Sequence, residues 1–311
     1  MVAYIINRIL QIIPTLFGVL LLAFLMIHLV PGDPIEVILG DQALPADREA
    51  LEQALGLNLP IGEQLARYAT RLSHFDLGNS LFTGRPVVDM IADRLPATLH
   101  LAAAAMFVAL MIAFPLGIWA ACRKGKWPDH LALGSSLVAF SMPNFWLGPL
   151  LIIVFSLGLG WLPVTGNDEP TSIILPAITL GSAMAAMTTR LLRSSLLEVL
   201  NADFVRTARA KGAGGMRILL HHALRNALLP VMTVVFLQVG ALLTGAILTE
   251  AVFAWPGLGG LIIEALNQRD YMVVQGCVLF IAVVYTLMTL LSDIAYALVD
   301  PRVRYSKAGR R

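Results

Sequence analysis

Charged side chains are scarce in this chain, making up 14% of its 311 residues, where an average soluble domain carries about 25%. That shortage excludes a water-soluble surface over most of the molecule. With 58% hydrophobic residues and a mean hydropathy of +0.77, the chain belongs in a bilayer. Cysteine is nearly absent. Cys122 and Cys277 both fall in or at the edge of apolar segments, which excludes a disulfide framework or a metal set and leaves each as a small packing residue. Catalytic motifs are missing as well. The dipeptide Gly125-Lys126 lacks the upstream glycine of a phosphate loop and runs into Trp127, so ATP is not bound by that route. There is no H-E-x-x-H, no G-x-S-x-G and no Cys/His cluster at metal-ligand spacing. The expectation is a chain that is no enzyme and binds neither metal nor cofactor itself.

What is present is a set of long apolar runs. Six stretches without formal charge, at about 9–30, 97–121, 131–164, 171–189, 226–249 and 271–292, are long enough to cross the membrane, a crossing that takes roughly 20 helical residues. The third exceeds one upright helix. It is read as a single span bent near Pro143 or Pro149 and ending in an interfacial segment around Trp161. Pro14, Pro115, Pro143, Pro149 and Pro176 are read as kinks, which neighbouring helices tolerate inside a bilayer. The first run is too long for a signal-peptide core and has no small-residue cleavage site after it, so residues 9–30 are expected to stay as a helix. The expected fold is an all-α polytopic membrane protein of six transmembrane helices.

Lys and Arg set the orientation. With the N-terminus in the cytoplasm, 16 of them lie inside and six outside, five of those six in one long loop. Both termini are expected to be cytoplasmic. Residues 1–30 form the N-terminus and first helix, 31–96 an extracytoplasmic cap, 97–299 the transmembrane core and 300–311 a basic cytoplasmic tail. The cap carries ten acids against five Arg, with helix-like stretches at Asp47–Leu55 and Ile61–Phe75.

Between the fourth and fifth spans lies a basic island, Asn201 to Pro230. From Asp203 to Arg225 it holds Arg206, Arg209, Lys211, Arg217 and Arg225 against the single acid Asp203. It reads as two helices with a break. Asn201 or Asp203 caps the first, Gly212, Gly214 and Gly215 end it, and periodicity resumes at Met216. In a soluble protein, a basic helix–turn–helix would suggest DNA binding. Here the island is tethered to the membrane at both ends, and no nucleic-acid partner is expected. Phe204 and Ala208, at i and i+4, give the first helix an apolar spot suited to a protein partner. Anchoring to anionic lipid is the alternative role for its arginines.

Ionisable groups near span ends are few: His28, Glu250 and Asp293. They are read as interfacial anchors or helix-packing hydrogen bonds, with Glu250 kept as a possible pathway residue because it sits where a substrate would enter. Isolated His28 and His100, and adjacent His221 and His222, offer no convergent metal set.

The island is similar to the cytoplasmic loop of ABC importer permeases, which begins Glu-Ala-Ala, reaches a glycine and closes on Ile-x-Leu-Pro. Arg206-Thr207-Ala208, Gly212 and Leu229-Pro230 stand at those positions. Arg206 replaces the acid and the spacer to Pro230 is longer, as in the dipeptide, oligopeptide and nickel branch. PGDP at 31–34, DLGNS at 76–80, RLPATL at 94–99, FAWPGLG at 253–259, RDYMVVQG at 269–276 and DPRVR at 300–304 carry the same resemblance across nearly the whole chain, to the first permease of that branch.

The resemblance implies a type I ABC importer permease in the bacterial inner membrane. Its implied partners are a second, homologous permease, two cytoplasmic ATPases that use ATP and Mg, a periplasmic binding protein and the lipid bilayer. The loop at 194–228 would hold the coupling helix, with Asp203, Phe204, Arg206, Thr207, Ala208, Arg209, Ala210 and Gly212 as the ATPase contact. The loop 254–270 would face the binding protein through Trp255, Pro256, Gly257, Leu258 and Gly259, with Trp255 at the membrane interface and Leu258–Leu266 a short interfacial helix. Short peptides are the expected cargo, and nickel or nickel–chelator complexes the alternative. A self-sufficient proton-coupled carrier or channel is the rival from another class. It would need midplane carboxylates or an internal repeat, and the sequence shows neither.

Overall fold

In the computed structural model, the described residues are 2–29, 45, 46, 48, 52, 53 and 58–299. The PGDP and DPRVR segments, the basic tail and most of Asp47–Leu55 lie outside them. The described residues are mostly helical, with one isolated antiparallel bridge among them, between Asn79 and Pro86. Helix α1 is Val2–Leu29, α2 Ile61–Ser73, α3 Val87–Cys122, α4 Trp127–Ser141 and α5 Asn144–Leu151, which continues as a π-helical stretch, Ile152–Gly158. A 3₁₀ turn, Pro170–Ile173, leads into α6, Ile174–Leu200, and then comes α7, Asp203–Ala210. Helix α8 starts at Gly215–Arg217, passes through a π segment at Ile218–Leu224 and continues as Arg225–Val252. Helices α9, Leu258–Gln268, and α10, Tyr271–Val299, complete the fold.

Among the described residues, five helical stretches are long and apolar enough to cross a membrane, and a sixth span results if α4 and α5 count as one broken crossing. The bend expected in the third run falls at Met142-Pro143, and it is a break in which the two halves turn through 104°. Pro143 forces the break because its ring disfavours helical geometry at Met142, which is extended at ψ 120°. Pro149 sits inside α5 without interrupting it. Pro176 is not a mid-helix kink; it lies in the first turn of α6, where a missing N–H costs nothing. Pro230 is tolerated inside α8, and the hydroxyl of Ser195 on α6 donates to the nearby Ala227 carbonyl at 2.9 Å.

The core rests on α3 and α6. Leu101, Ala105, Ala109, Ala113, Gly117 and Ala121, spaced by four, form one buried ridge along α3. Small residues let backbones approach, which is how helices associate when lipid removes the hydrophobic drive between them. Gly181 of α6 packs directly on the Ala105 carbonyl, and Leu192 of α6 fills the notch at Gly117. The two helices therefore run side by side in the same direction. Between α6 and α8, the Thr188 hydroxyl donates to Gln238 at 3.2 Å, and the Gln275 amide of α10 donates to the Ala23 carbonyl of α1 at 2.8 Å.

Arg8 of α1 pairs with Asp293 of α10 at 3.1 Å, which sets the start of α1 beside the last turns of α10 on the side of the molecule that carries α7. At the opposite end, His28 reaches Gln64 of α2 at 3.1 Å, and Phe24 packs against Tyr68. His28 and Asp293 are thus inter-helix hydrogen-bonding and ion-pairing groups. Cys277 is buried in the core, whereas Cys122 is exposed at the end of α3.

Candidate functional site

Helix α7 bridges the lower ends of α6 and α8. Its cap differs from the sequence expectation: Ala202 holds the N-cap position without a side-chain bond, because the Asn201 amide turns back to the Leu197 carbonyl at 2.8 Å. Asp203 at the first helical position complements the helix dipole instead. The C-terminus is a Schellman motif. The Ala213 N–H reaches the Ala208 carbonyl at 3.1 Å and the Gly212 N–H the Arg209 carbonyl at 2.9 Å, with Gly212 at φ +83°. A side chain there would meet no atoms, so the need for glycine is purely conformational, at about 1–2 kcal/mol for any other residue. Gly214 and Gly215 do not share this work, since they begin the next helix.

Val205, fully buried, is the residue that seats α7 on the body of the protein. Phe204 stands 47% exposed beside it, and Ala208 is half-buried. Arg206, Thr207, Arg209 and Ala210 are exposed. The Arg206–Asp203 pair, at 3.4 Å, is fully exposed to solvent and readily exchanged for a partner's acid. The helix therefore presents an exposed phenylalanine flanked by arginines on a fixed mount. Nearby Met216 and Leu220 extend the exposed apolar surface.

A second cluster sits at the other end of the molecule. Glu250, near the end of α8, is fully buried. Its carboxylate accepts from the Thr98 hydroxyl of α3 at 2.7 Å and from the Gly259 N–H at 2.6 Å. Thr98 in turn accepts from the Leu258 N–H at 2.8 Å. The Trp255 indole N–H donates to the Ala97 carbonyl at 2.9 Å, and the Trp255 backbone N–H donates to the Glu250 carbonyl at 2.8 Å. Gly257 and Gly259 are required by space, because a methyl group at either would run into the Glu250 carboxylate. This lock ties α3, α8 and α9 together, and the Glu250 side chain faces none of the open cavity nearby. Trp255 is likewise enclosed rather than interfacial, as are Gly257, Leu258 and Gly259, while Pro256 is half-exposed and Ala254 exposed. The expected interfacial helix is α9, whose Leu258, Leu261, Ile262 and Ala265 are buried in the core.

The cavity is an open cleft of ≈ 890 Å³ beside this lock, lined by Asp93, Arg94, His100, Asp168, Glu169 and Trp255 among others. Sequence reasoning passed over Asp168 and Glu169, since nothing in the chain marks them as neighbours of α3.

Two further polar sites were also missed. Asp270 caps α10 and accepts from the Ser80 hydroxyl at 2.6 Å and the Leu81 N–H at 3.3 Å, fastening the 76–86 turn to the helix. Arg193 grips the nearly buried Asp129 with two hydrogen bonds, Nε to Oδ1 and Nη2 to Oδ2, the second at 2.8 Å, while the Gly125 N–H also donates to Oδ2 at 2.8 Å. The Asp270 bonds and those of the Glu250 cluster link segments that carried the sequence resemblance. DLGNS meets RDYMVVQG through Ser80 and Asp270, and RLPATL meets FAWPGLG through Thr98 with Leu258 and Ala97 with Trp255.

Comparison with known proteins follows the same lines. The family described as "Binding-protein-dependent transport system inner membrane component" matches residues 113–305, and its N-terminal counterpart matches residues 1–102. The dipeptide transport system permease protein DppB of Escherichia coli strain K12 is 42% identical over 339 residues, covering 99% of this chain and 100% of that protein. DppB of Alkalihalophilus pseudofirmus is 42% identical, covering 98% and 100%. The glutathione transport system permease protein GsiC of E. coli strain K12 is 43% identical over 305 residues, covering 98% and 100%. Among solved structures, an inward-facing MetNI methionine ABC transporter chain superposes with a TM-score of 0.56 at 18% identity, over 68% of this chain and 96% of that one. An amino acid ABC transporter solved with histidines gives 0.52 at 16%, over 69% and 94%. At such identities these two share the fold.

Proposed function

The chain belongs to the family of binding-protein-dependent transport system inner membrane components, the permeases of ABC importers, and from that membership we propose that it carries short peptides across the bacterial inner membrane. The peptide reading is supported by full-length relatives named for dipeptide and glutathione transport. A binding protein delivers the cargo from the periplasm, a second homologous permease completes the pathway, and two separate ATPases supply the energy. Both chain ends lie in the cytoplasm. Loop 254–270 meets the binding protein through its outward residues, Ala254 and Pro256.

The observation that carries this reading is the mounting of α7. A short helix seated on Val205, with Phe204 and two arginines turned outward, gives a soluble partner a rigid lever. Its movement passes into α8, which is continuous from Gly215 to Val252 and so joins the α7 end of the molecule to the Glu250 lock. Closure of the ATPases on ATP would thus alternate access through a rigid-body change.

The test is Ala208→Glu in the reconstituted transporter. A glutamate at this half-buried position lifts α7 from its seat and sets an acid beside the partner surface. Peptide uptake is expected to fall at least about fivefold, the low end of ordinary coupling energies, while membrane insertion and ATPase binding persist. Normal uptake with the ATPase still bound would defeat the assignment of α7.

A further inference from the structure

The cleft beside the Glu250 lock carries opposite charges on facing elements. Arg94 and His100 project from α3, Asp168 and Glu169 come from the loop before α6, and Trp255 and Pro256 supply an apolar floor. The floor is fixed, because the Trp255 indole is bonded to the Ala97 carbonyl. The charges are available. Asp168 makes no side-chain hydrogen bond or ion pair among the described residues, and Glu169 accepts only from Thr171, at 3.1 Å. Arg94 is held loosely, with 3.7 Å to an exposed Glu264. Asp93 is engaged elsewhere, by Arg85 at 2.7 Å, and does not compete for a cation.

We infer that this cleft is a receiving site for a short zwitterionic peptide, with the amino terminus on Asp168 and Glu169, the carboxylate on Arg94 and a side chain over Trp255 and Pro256. The inference rests on the peptide reading given above. Its volume, ≈ 890 Å³, falls in the range of ligand sites, about 300–1,000 Å³. A singly charged solute of the same size would satisfy one wall and leave the other unpaired, and a neutral one would pair with neither. The site also gives the lock a use, since Thr98 and Ala97 hold the cleft floor and Glu250 holds Thr98, so motion of α8 reshapes the floor directly. Cargo contact thus falls to residues around Glu250 and not to its own carboxylate.

The experiment uses the complete transporter in proteoliposomes, with both permeases, the ATPases, saturating binding protein and radiolabelled alanyl-phenylalanine. Uptake and the ATPase stimulation caused by the binding protein are both measured. In D168N/E169Q, and separately in Arg94→Gln, uptake per ATP is expected to fall about tenfold, the loss of one charge-assisted contact, with ATPase stimulation unchanged. Asp168→Glu, which keeps the charge, retains wild-type uptake. Unchanged uptake per ATP in both neutralised variants overturns the site. Joint loss of uptake and ATPase stimulation overturns it too, and assigns the cleft to docking of the binding protein. A wild-type transporter that moves no peptide while its ATPases respond to the binding protein refutes the cargo reading itself, a result distinct from either of these.

Discussion

Replacing Glu250 by alanine is expected to destabilise the protein by about 2–6 kcal/mol, because two buried donors lose their acceptor at about 1–3 kcal/mol each. Those donors are the Thr98 hydroxyl and the Gly259 N–H, and the site they share with the carboxylate is fully enclosed. Glutamine separates a structural role from an electrical one. Its carbonyl can still accept from the Gly259 N–H, but its amide only donates, so the Thr98 hydroxyl proton loses its acceptor; Glu250→Gln should therefore cost about 1–3 kcal/mol, half the loss in alanine, and leave uptake near wild type. The check is the thermal unfolding midpoint of the detergent-purified complex, together with uptake, for both variants. If the glutamine variant loses transport as fully as the alanine variant while unfolding at the wild-type temperature, the carboxylate acts through its charge and the lock is not its main task.

Gly181→Leu is expected to have a comparable effect at the centre of the helix bundle. In an isolated helix, alanine in place of glycine gains about 1 kcal/mol. Here even an added Cβ would stand 2.7 Å from the Ala105 carbonyl oxygen, a backbone atom that cannot turn aside. Overpacking of this kind costs about 1–3 kcal/mol and occasionally more. It therefore matches or exceeds the propensity gain for alanine, and for leucine the whole side chain must be wedged between α3 and α6. A fall of at least about 3 kcal/mol in stability follows, seen as a lowered unfolding midpoint or as loss of assembled complex. Unaltered stability in Gly181→Leu would mean that α3 and α6 are free to separate and that the alanine ridge does not hold them.

Much of this fold is legible in the chain because its signals are local. Apolar run length places α1, α3, α6, α8 and α10, and glycine at 212 marks the end of α7. The alanine ridge on α3 was legible too, as small residues every fourth position from 105 to 117, but hydropathy alone passes over it. Long-range pairings are a different matter. Nothing near Asp129 in sequence foretells Arg193, and nothing near Asp270 foretells Ser80, 190 residues earlier. Glu250 looked exposed to arriving substrate because its position at a span end was readable and its partners on α3 and α9 were not. The same limit hid the cleft, whose walls come from three separate segments. In α7, the spacing of Phe204 and Ala208 pointed to an apolar face, yet Val205 between them is the residue turned inward, a choice made by how α7 sits against α8.

The central claim is that α7 is the surface on which an ATPase docks. A photoreactive residue in place of Phe204, in membranes holding the assembled transporter, tests it most directly, since that side chain is exposed and its neighbours are fixed. On illumination, the predicted product is a covalent link between this chain and the ATPase subunit, diminished when ATP analogues shift the docked state. Linkage to lipid alone, with the ATPase present and active, would contradict the claim.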